Sequence, residues 1–202
     1  MFLNEIGQPF ILQKGVKYNS YEEHRGALLI SSAAYKDHVV PENWSGCVIG
    51  SEQDILRLKF QGEGNNYSEK CKYIYIRPNE PTQIDNNGTV ITITLIPAGK
   101  NKNELESILY YIENGLTRYV IVDRLSGYLD FLPKAHDFFR NGLGLGIDVL
   151  YIDEETLDEN DLNEDIYSLV HLIKPKFIYG LRGGKLPKWL QDLRRIQDIY
   201  KI

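Results

Sequence analysis

Two short segments in the second half of the chain combine glycine with basic residues in a way that could hold an anion. They are Gly99-Lys100 and Arg182-Gly183-Gly184-Lys185. We expect each to precede the amino end of a helix, where free backbone N–H groups and the helix dipole favour negative charge. A nucleotide phosphate or a sugar phosphate would suit such a turn. The second segment is not a Walker A loop, because the spacing is wrong and no Ser or Thr follows Lys185. Ordinary turns with solvated Lys and Arg side chains are the alternative.

Two aspartates, Asp123 and Asp153, each end a predicted strand. A pair of carboxylates at one sheet edge can bind Mg²⁺ or act as acid and base. Carboxylates at strand ends are also common loop starters, and this alternative stays open. No other metal site is predicted, because neither Cys47 nor Cys71 has a second Cys or a His at ligand spacing.

No nucleophile can be argued from the sequence. Ser126 lies in the segment DRLSG, which is not a nucleophile elbow. No histidine directly follows a predicted strand, and no Ser/His/Asp or Cys/His arrangement emerges. The sequence therefore predicts no catalytic residue and no cofactor. Mg²⁺ or a nucleotide is expected only if the glycine-containing segments bind an anionic ligand.

A repeated pattern in the second half must position these residues. Three runs, Arg118–Asp123, Ile147–Asp153 and Lys176–Leu181, are each followed by a turn and then by residues with helical periodicity. This pattern predicts a parallel sheet whose ligands bind beyond the carboxyl ends of the strands. The run with the highest strand propensity, Thr89–Ile96, could belong to either half of the chain, and we favour a fourth parallel strand of the second half.

Helices are predicted between and after these strands, because apolar residues recur at helical spacing. The first would follow Thr89–Ile96, a second would begin at Asp130, and two more would follow the last two strands. The apolar faces of the first, third and fourth helices contain these residues: Leu105, Ile108, Leu109 and Ile112; Leu162, Ile166, Leu169, Val170 and Ile173; Trp189, Leu193, Ile196 and Tyr200.

The first half of the chain is β-rich in the same analysis. Short apolar or alternating runs predict strands at Pro9–Leu12, Ala27–Ser31, Cys47–Ile49, Ile55–Phe60 and Lys72–Arg77. The predicted fold class is mixed α/β. A β-rich domain or subdomain, residues 1–88, is followed by a Rossmann-like three-layer domain, residues 89–202, with three to four parallel strands.

Composition limits the range of functions. The chain has 202 residues, of which 43% are hydrophobic and 25% charged, and its net charge is −5. Nucleic-acid binding is unlikely on this charge, since such proteins usually present a basic face. No run reaches the roughly 20 apolar residues that a membrane helix requires. The first residues lack the basic start and the apolar stretch of a signal peptide, so a cytoplasmic protein is expected.

These observations favour a non-catalytic assembly or protein-interaction component. The catalytic residues are missing, the 14 tyrosines suit an interface, and an acidic segment 153–165 precedes a basic last helix. Protein partners or self-association are expected. The Ala-poor and Ile-, Asn- and Lys-rich composition indicates an AT-rich genome, which suggests a phage or mobile element. A structural protein of a phage-like particle, located in the virion, is one form of this prediction.

The alternative prediction is a Rossmann-like enzyme or sensor. It would bind a nucleotide or sugar phosphate at the carboxyl edge of its parallel strands. Its candidate ligand-binding residues are Gly99, Lys100, Asp123, Asp153, Arg182, Gly183, Gly184 and Lys185.

Overall fold

A computed structural model describes residues 2–4, 9–10, 26–30, 40, 44, 46–61, 70–86, 88–100, 106–122, 125, 138–139 and 146–199. Within these residues, eleven strands form two mixed sheets, and three longer α-helices accompany them. The strands are β1 Phe2–Asn4, β2 Pro9–Phe10, β3 Gly26–Leu29, β4 Cys47–Gly50, β5 Lys72–Tyr75, β6 Thr82–Asn86, β7 Thr89–Lys100, β8 Glu106–Asn114, β9 Thr117–Val122, β10 Val149–Ile152 and β11 Phe177–Gly180. The helices are α1 Glu52–Gln61, α2 Glu164–Ile173 and α3 Lys188–Ile199.

The five-stranded sheet has the order β2-β1-β3-β4-β5. Strand β1 is antiparallel to β2 and β3, whereas β3, β4 and β5 are parallel to one another. The parallel strands are short and mostly buried, since Ala27–Leu29 and Val48–Gly50 lie in the interior. Burial on both faces is typical of parallel strands and explains their continuous apolar runs.

The six-stranded sheet has the order β11-β10-β9-β8-β7-β6. Strands β9, β10 and β11 are parallel, with Val149 opposite both Tyr119 and Phe177. The three parallel strands predicted from the repeated pattern are thus confirmed. Strands β6 to β9 form an antiparallel meander instead. The run Thr89–Ile96, whose sheet the sequence left open, belongs to this sheet, and it leads into a hairpin and not into the favoured helix.

The two sheets pack face to face. On β8, Ile108, Tyr110 and Ile112 are each no more than 3% exposed and point between the sheets. They belong to one apolar cluster with Leu29 and Ile49 of the five-stranded sheet. Such sheet-on-sheet packing buries the alternate residues of every strand on one side.

Helices cover the outer faces of the sheets. Apolar residues of α2 and α3, among them Leu169 and Leu190, pack on the outer face of the six-stranded sheet beside Leu150. Leu58 of α1 packs beside Val48 on the outer face of the five-stranded sheet. The layers therefore run helix, sheet, sheet, helix.

The predicted Rossmann-like three-layer arrangement is wrong. A Rossmann-like sheet has helices on both faces, whereas the inner face of the six-stranded sheet is covered by the second sheet. The predicted β-rich first half is also inexact, since α1 lies within it and its strand β6 joins the six-stranded sheet. The division into domains 1–88 and 89–202 stays a prediction.

A helix was predicted over Leu105–Ile112; Leu105 lies outside the described residues, and the rest of the segment belongs to strand β8. Its five apolar residues from Ile108 to Ile112 are all buried, alternately against the other sheet and against the helices. A short continuous apolar run fits both a buried strand and one face of a helix, so pairing with β7 and β9 decides the outcome.

The predicted strand at Ile55–Phe60 is helix α1. The helix buries Ile55 and Leu58, which are three residues apart, and leaves Leu56 and Phe60 exposed. The alternating pattern predicted that Leu56 and Phe60 would be buried together with Leu58, whereas both are exposed to solvent. The helices predicted after β10 and β11 are confirmed as α2 and α3. The helix predicted from Asp130 lies largely outside the described residues, although Phe138 and Phe139 are helical.

In the part of the chain that the structure describes, no helix combines the length and the apolar composition needed to cross a membrane.

Candidate functional site

The carboxyl edges of the two sheets meet at one end of the molecule. The Tyr110 hydroxyl on β8 donates a hydrogen bond to the carbonyl of Ile30, which follows β3, and it lies 3.5 Å from the carbonyl oxygen of Ile49 on β4. Tyr110 is opposite Ile121, near the carboxyl end of β9. This buried contact places the carboxyl ends of β3 and β4 beside that of β9.

The described residues that were predicted to bind a ligand lie along this edge, but they do not form one cluster. Strand β7 is parallel to β9, because both are antiparallel to β8, so the β7, β9, β10 and β11 carboxyl ends share the edge. Three strand spacings separate β7 from β10, roughly 14 Å. The segment Gly99-Lys100 therefore lies far from Asp153 and Arg182. Asp123 lies outside the described residues.

The chemistry predicted for Gly99-Lys100 does not match its location. Gly99 has φ 82°, and Lys100 is opposite Glu106 in the β7–β8 pair, where the register shifts. The segment forms the end of β7 and pairs with β8, so among the described residues it does not lead into the amino end of a helix.

Arg182 and Asp153 form a two-pronged ion pair between the loops that follow β11 and β10. The Arg182 Nε donates to Asp153 Oδ1 at 2.7 Å and Nη2 donates to Oδ2 at 3.0 Å. A third guanidinium nitrogen, Nη1, lies 3.2 Å from Glu155 Oε2. The hydrogen bond from Arg182 to Asp153 is the main reason that the pKa of Arg182 is raised, and burial opposes it. Arg182 thus binds Asp153 in the bidentate geometry typical of arginine and contacts Glu155 through its third nitrogen.

The Glu154 carboxylate occupies the turn that follows β11. It accepts hydrogen bonds from the backbone N–H groups of Arg182, at 3.2 and 3.1 Å, and of Gly184, at 2.5 Å. Gly180 and Gly184 leave room for it, since a Cβ on Gly180 would lie 2.6 Å from the carboxylate and one on Gly184 would lie 2.8 Å from it. The Arg182–Lys185 turn does hold an anion, and that anion belongs to the chain itself.

We call these five residues the β10–β11 clasp: Asp153, Glu154, Glu155, Arg182 and Gly184. Sequence reasoning found Asp153, Arg182 and Gly184 but missed Glu154. The sequence does not distinguish Glu154 from its neighbours, because the residue lies in a segment that contains many acidic residues. Whether the predicted set of eight residues binds a ligand stays a prediction.

A metal ion does not fit the described carboxylates of this edge. Both oxygens of Asp153 accept from Arg182, and the Glu154 carboxylate faces backbone N–H groups. No group of three or more His, Cys, Asp or Glu side chains among the described residues could hold a metal ion.

A buried Ser–Asp pair follows β4 at the same edge. Ser51 Oγ donates to Asp54 Oδ2 at 2.6 Å and accepts from the Asp54 backbone N–H at 3.1 Å. This pattern caps helix α1, because the side chain at the start of the helix bonds the N–H three residues later. We call the group of Ser51, Asp54 and Arg57 the α1 cap, since Arg57 Nη1 lies 3.5 Å from Asp54 Oδ1.

Among the described residues, Cys47 and His171 also have a nucleophilic or basic side chain. Burial raises the pKa of the Cys47 thiol, which lowers the fraction of reactive thiolate at neutral pH. His171 is exposed on α2, where its Nδ1 is 2.9 Å from the Tyr167 carbonyl oxygen. Neither residue lies at the carboxyl edge.

No protein-family model matches this sequence, and no curated protein sequence matches it. Solved structures do resemble it in fold. Igni18, described as a novel metallo hydrolase from the archaeon Ignicoccus hospitalis KIN4/I, has a TM-score of 0.53 at 11% identity, and the match covers 93% of this chain and 78% of that one. The chain has the fold of Igni18.

Two further structures are similar to a lesser degree. YhfI from Bacillus subtilis, described as a metallo-β-lactamase fold protein, has a TM-score of 0.47 at 14% identity, with 86% of this chain and 71% of that chain covered. Unliganded yeast PDE1 has a TM-score of 0.45 at 12% identity, with 76% and 54% covered.

Both functions predicted from the sequence are wrong. The Rossmann-like enzyme or sensor is contradicted by the fold. A second sheet covers the inner face of the six-stranded sheet, where a Rossmann-like fold would have helices. The non-catalytic assembly component, including the structural protein of a phage-like particle, is overturned by the shared fold, which is that of a protein described as a metallo hydrolase. A virion location has no support.

Proposed function

We propose that this chain is a hydrolase whose active centre lies where the carboxyl edges of the two sheets meet. The observation that carries the proposal is the fold shared with Igni18, which extends over 93% of the chain. The location is supported by the Tyr110 hydroxyl, which joins the carboxyl ends of strands from both sheets.

The described polar groups of this edge set limits on the chemistry. Asp153, Glu154 and Arg182 are bonded to one another or to the backbone, and Ser51 caps a helix. We therefore assign no nucleophile or base among them and derive no step through a metal. Lys185 is exposed beside the β10–β11 clasp and would attract an anionic substrate.

Hydrolysis by the purified chain tests this proposal. The substrates are p-nitrophenyl acetate, p-nitrophenyl phosphate and bis(p-nitrophenyl) phosphate, which represent esters, phosphomonoesters and phosphodiesters. Each is assayed after EDTA treatment and after addition of Zn²⁺, Mn²⁺ or Mg²⁺. We expect release of p-nitrophenol from at least one substrate above the buffer rate. Rates equal to buffer with every substrate and metal would contradict the proposal.

The location of the active centre requires a matched pair of variants. Lys185→Ala changes an exposed residue at the carboxyl edge, whereas Leu116→Ala changes a fully exposed residue in the β8–β9 turn at the opposite end. We expect Lys185→Ala to raise KM for the anionic substrates and Leu116→Ala to leave KM unchanged. The reverse result would exclude the carboxyl edge.

Two further properties are proposals. A cytoplasmic location is supported by the free thiols of Cys47 and Cys71, which are typical of reducing compartments, and cell fractionation tests it. Protein partners or self-association stay a prediction from the sequence, which light scattering of the purified chain tests.

A further inference from the structure

The turn after β11 is built to hold an oxyanion. Gly183 has φ 73°, a left-handed conformation that glycine adopts without strain. The N–H groups on either side of it, those of Arg182 and Gly184, both point at the Glu154 carboxylate. Successive N–H groups in such a turn form a concave site for anions.

The space for the anion depends on two missing side chains. A Cβ on Gly180 or Gly184 would lie 2.6 or 2.8 Å from the nearest carboxylate atom of Glu154. Neither glycine has positive φ, so their small size, and not an unusual backbone, makes the room. The recess is therefore fitted to a group of carboxylate size.

Backbone N–H groups make the direct hydrogen bonds to the oxyanion. The Arg182 guanidinium is bound to Asp153 and lies beside Glu155, and it acts on Glu154 as a nearby positive charge. Because Glu154 is attached to the chain, its effective concentration at the turn is high. Any free anion must therefore compete with the Glu154 carboxylate. A free ligand would bind the intact chain with an affinity reduced by the fraction of time that the recess is open.

We propose that the turn after β11, together with Gly180 at the end of that strand, is an oxyanion site. Glu154 occupies this site, and the carboxylate or phosphate group of a ligand binds there when the Glu154 side chain moves out. The proposal rests on the contacts of the clasp and is independent of hydrolytic activity. Glu154 is in this view an internal ligand that regulates access to the turn.

Rescue of Glu154→Ala by free anions tests the proposal. Thermal unfolding is measured in chloride, acetate or inorganic phosphate at matched ionic strength. We expect acetate or phosphate to raise the Tm of Glu154→Ala above its value in chloride. At about ten times Kd, the rise should be about 3–6 °C for a chain of this size. The wild-type chain should show a smaller rise, because Glu154 competes.

Three variants make the result specific. Glu155→Ala removes the neighbouring carboxylate but leaves Glu154 in the turn, so it should respond like wild type. Adding Gly184→Ala to Glu154→Ala places a Cβ in the recess and should abolish the rescue. If Glu154→Ala does not fold, Glu154→Ser, which shortens the side chain and leaves the recess empty, replaces it. The acetate and phosphate arms distinguish a carboxylate site from a phosphate site.

Two outcomes would overturn the proposal. The first is an equal response to acetate and phosphate in Glu154→Ala and wild type. The second is a response of Glu154→Ala that persists with Gly184→Ala, since the anion would then bind elsewhere.

Discussion

The α1 cap and the β10–β11 clasp both place carboxylates and an arginine at the carboxyl ends of strands, but they differ in the distance along the chain that they join. The α1 cap connects residues three apart, and Asp54 is 1% exposed. The β10–β11 clasp connects residues 27 to 30 apart, and its Glu155 side chain is 68% exposed. The first is local and dry, whereas the second is long-range and, apart from the buried Asp153, open to water.

This difference separates two roles of similar side chains. A local cap needs little chain ordering beyond the helix that it begins, because its partners are already neighbours. A long-range clasp must hold two loops together, and it opposes the larger entropy of closing the segment between them. The cap should therefore contribute mainly to stability, and the clasp mainly to the shape of the carboxyl edge.

The largest expected effect is the loss of Asp54. Asp54→Ala removes the partner of Arg57, whose side chain is only 14% exposed, and should lower the free energy of unfolding by about 3 kcal/mol. Urea denaturation measures the change. In the double variant with Arg57→Met, the loss should be smaller than the sum of the two single losses, because no buried charge is left behind. Additive losses would show that the two side chains do not interact.

Arg182→Ala should cost less, about 2 kcal/mol, although it removes three contacts. The Arg182 side chain is 30% exposed, so water can reach Asp153 once the guanidinium is gone. Urea denaturation of Arg182→Ala, Asp153→Asn and the double variant gives the coupling energy between the two groups. If Arg182→Ala proves more costly than Asp54→Ala, the open clasp is the stronger of the two and the comparison is reversed.

Ser51→Ala isolates the local hydrogen bond of the cap and should lower the free energy of unfolding by about 1 kcal/mol. The Asp54 N–H loses its side-chain acceptor, whereas Asp54 keeps its position near Arg57. Ser51→Thr retains the hydroxyl and should recover most of the loss in the same urea experiment. Equal losses in both variants would indicate that packing around residue 51 matters and the cap does not.

The same contrast explains how much of the fold could be predicted from the sequence. Strands β9, β10 and β11 were predicted because each is a β-branched or aromatic run bounded by turn residues. Helix α1 was not, although Ser51 and Asp54 have the spacing of a capping box. Strand β8 was not, because its buried run Ile108–Ile112 fits helix and strand equally until β7 and β9 are in place.

The packing of the second sheet against the first could not be predicted from the sequence for the same reason. Whether the inner face of a sheet is covered by helices or by another sheet depends on contacts between distant strands, such as Tyr110 with Ile30. The candidate site shows this most clearly. The affinity of the Arg182–Lys185 turn for an anion could be predicted from its glycines and N–H groups, but the occupant, Glu154, lies 28 residues earlier.

The smallest expected effect lies at Asp148, a second long-range link, which joins the amino ends of β9, β10 and β11. Its carboxylate accepts from Lys176 Nζ at 2.6 Å and from the Arg118 N–H at 2.9 Å. Burial tends to raise the pKa of Asp148, but the hydrogen bonds from Lys176 and Arg118 outweigh it, so the pKa lies below its usual value of 3.8.

A carboxylate with a lowered pKa stabilises the folded chain above its unfolded pKa, and the contribution is lost as pH falls through the folded pKa. The window for Asp148 is therefore below about pH 4. We expect the urea midpoint of Asp148→Asn to fall less steeply with acid in this window than that of wild type. Lys176→Met removes the same bond from the other side and should flatten the profile in the same direction. A wild-type profile in both variants would show that an exposed long-range pair adds nothing measurable, which would sharpen the contrast with the buried α1 cap.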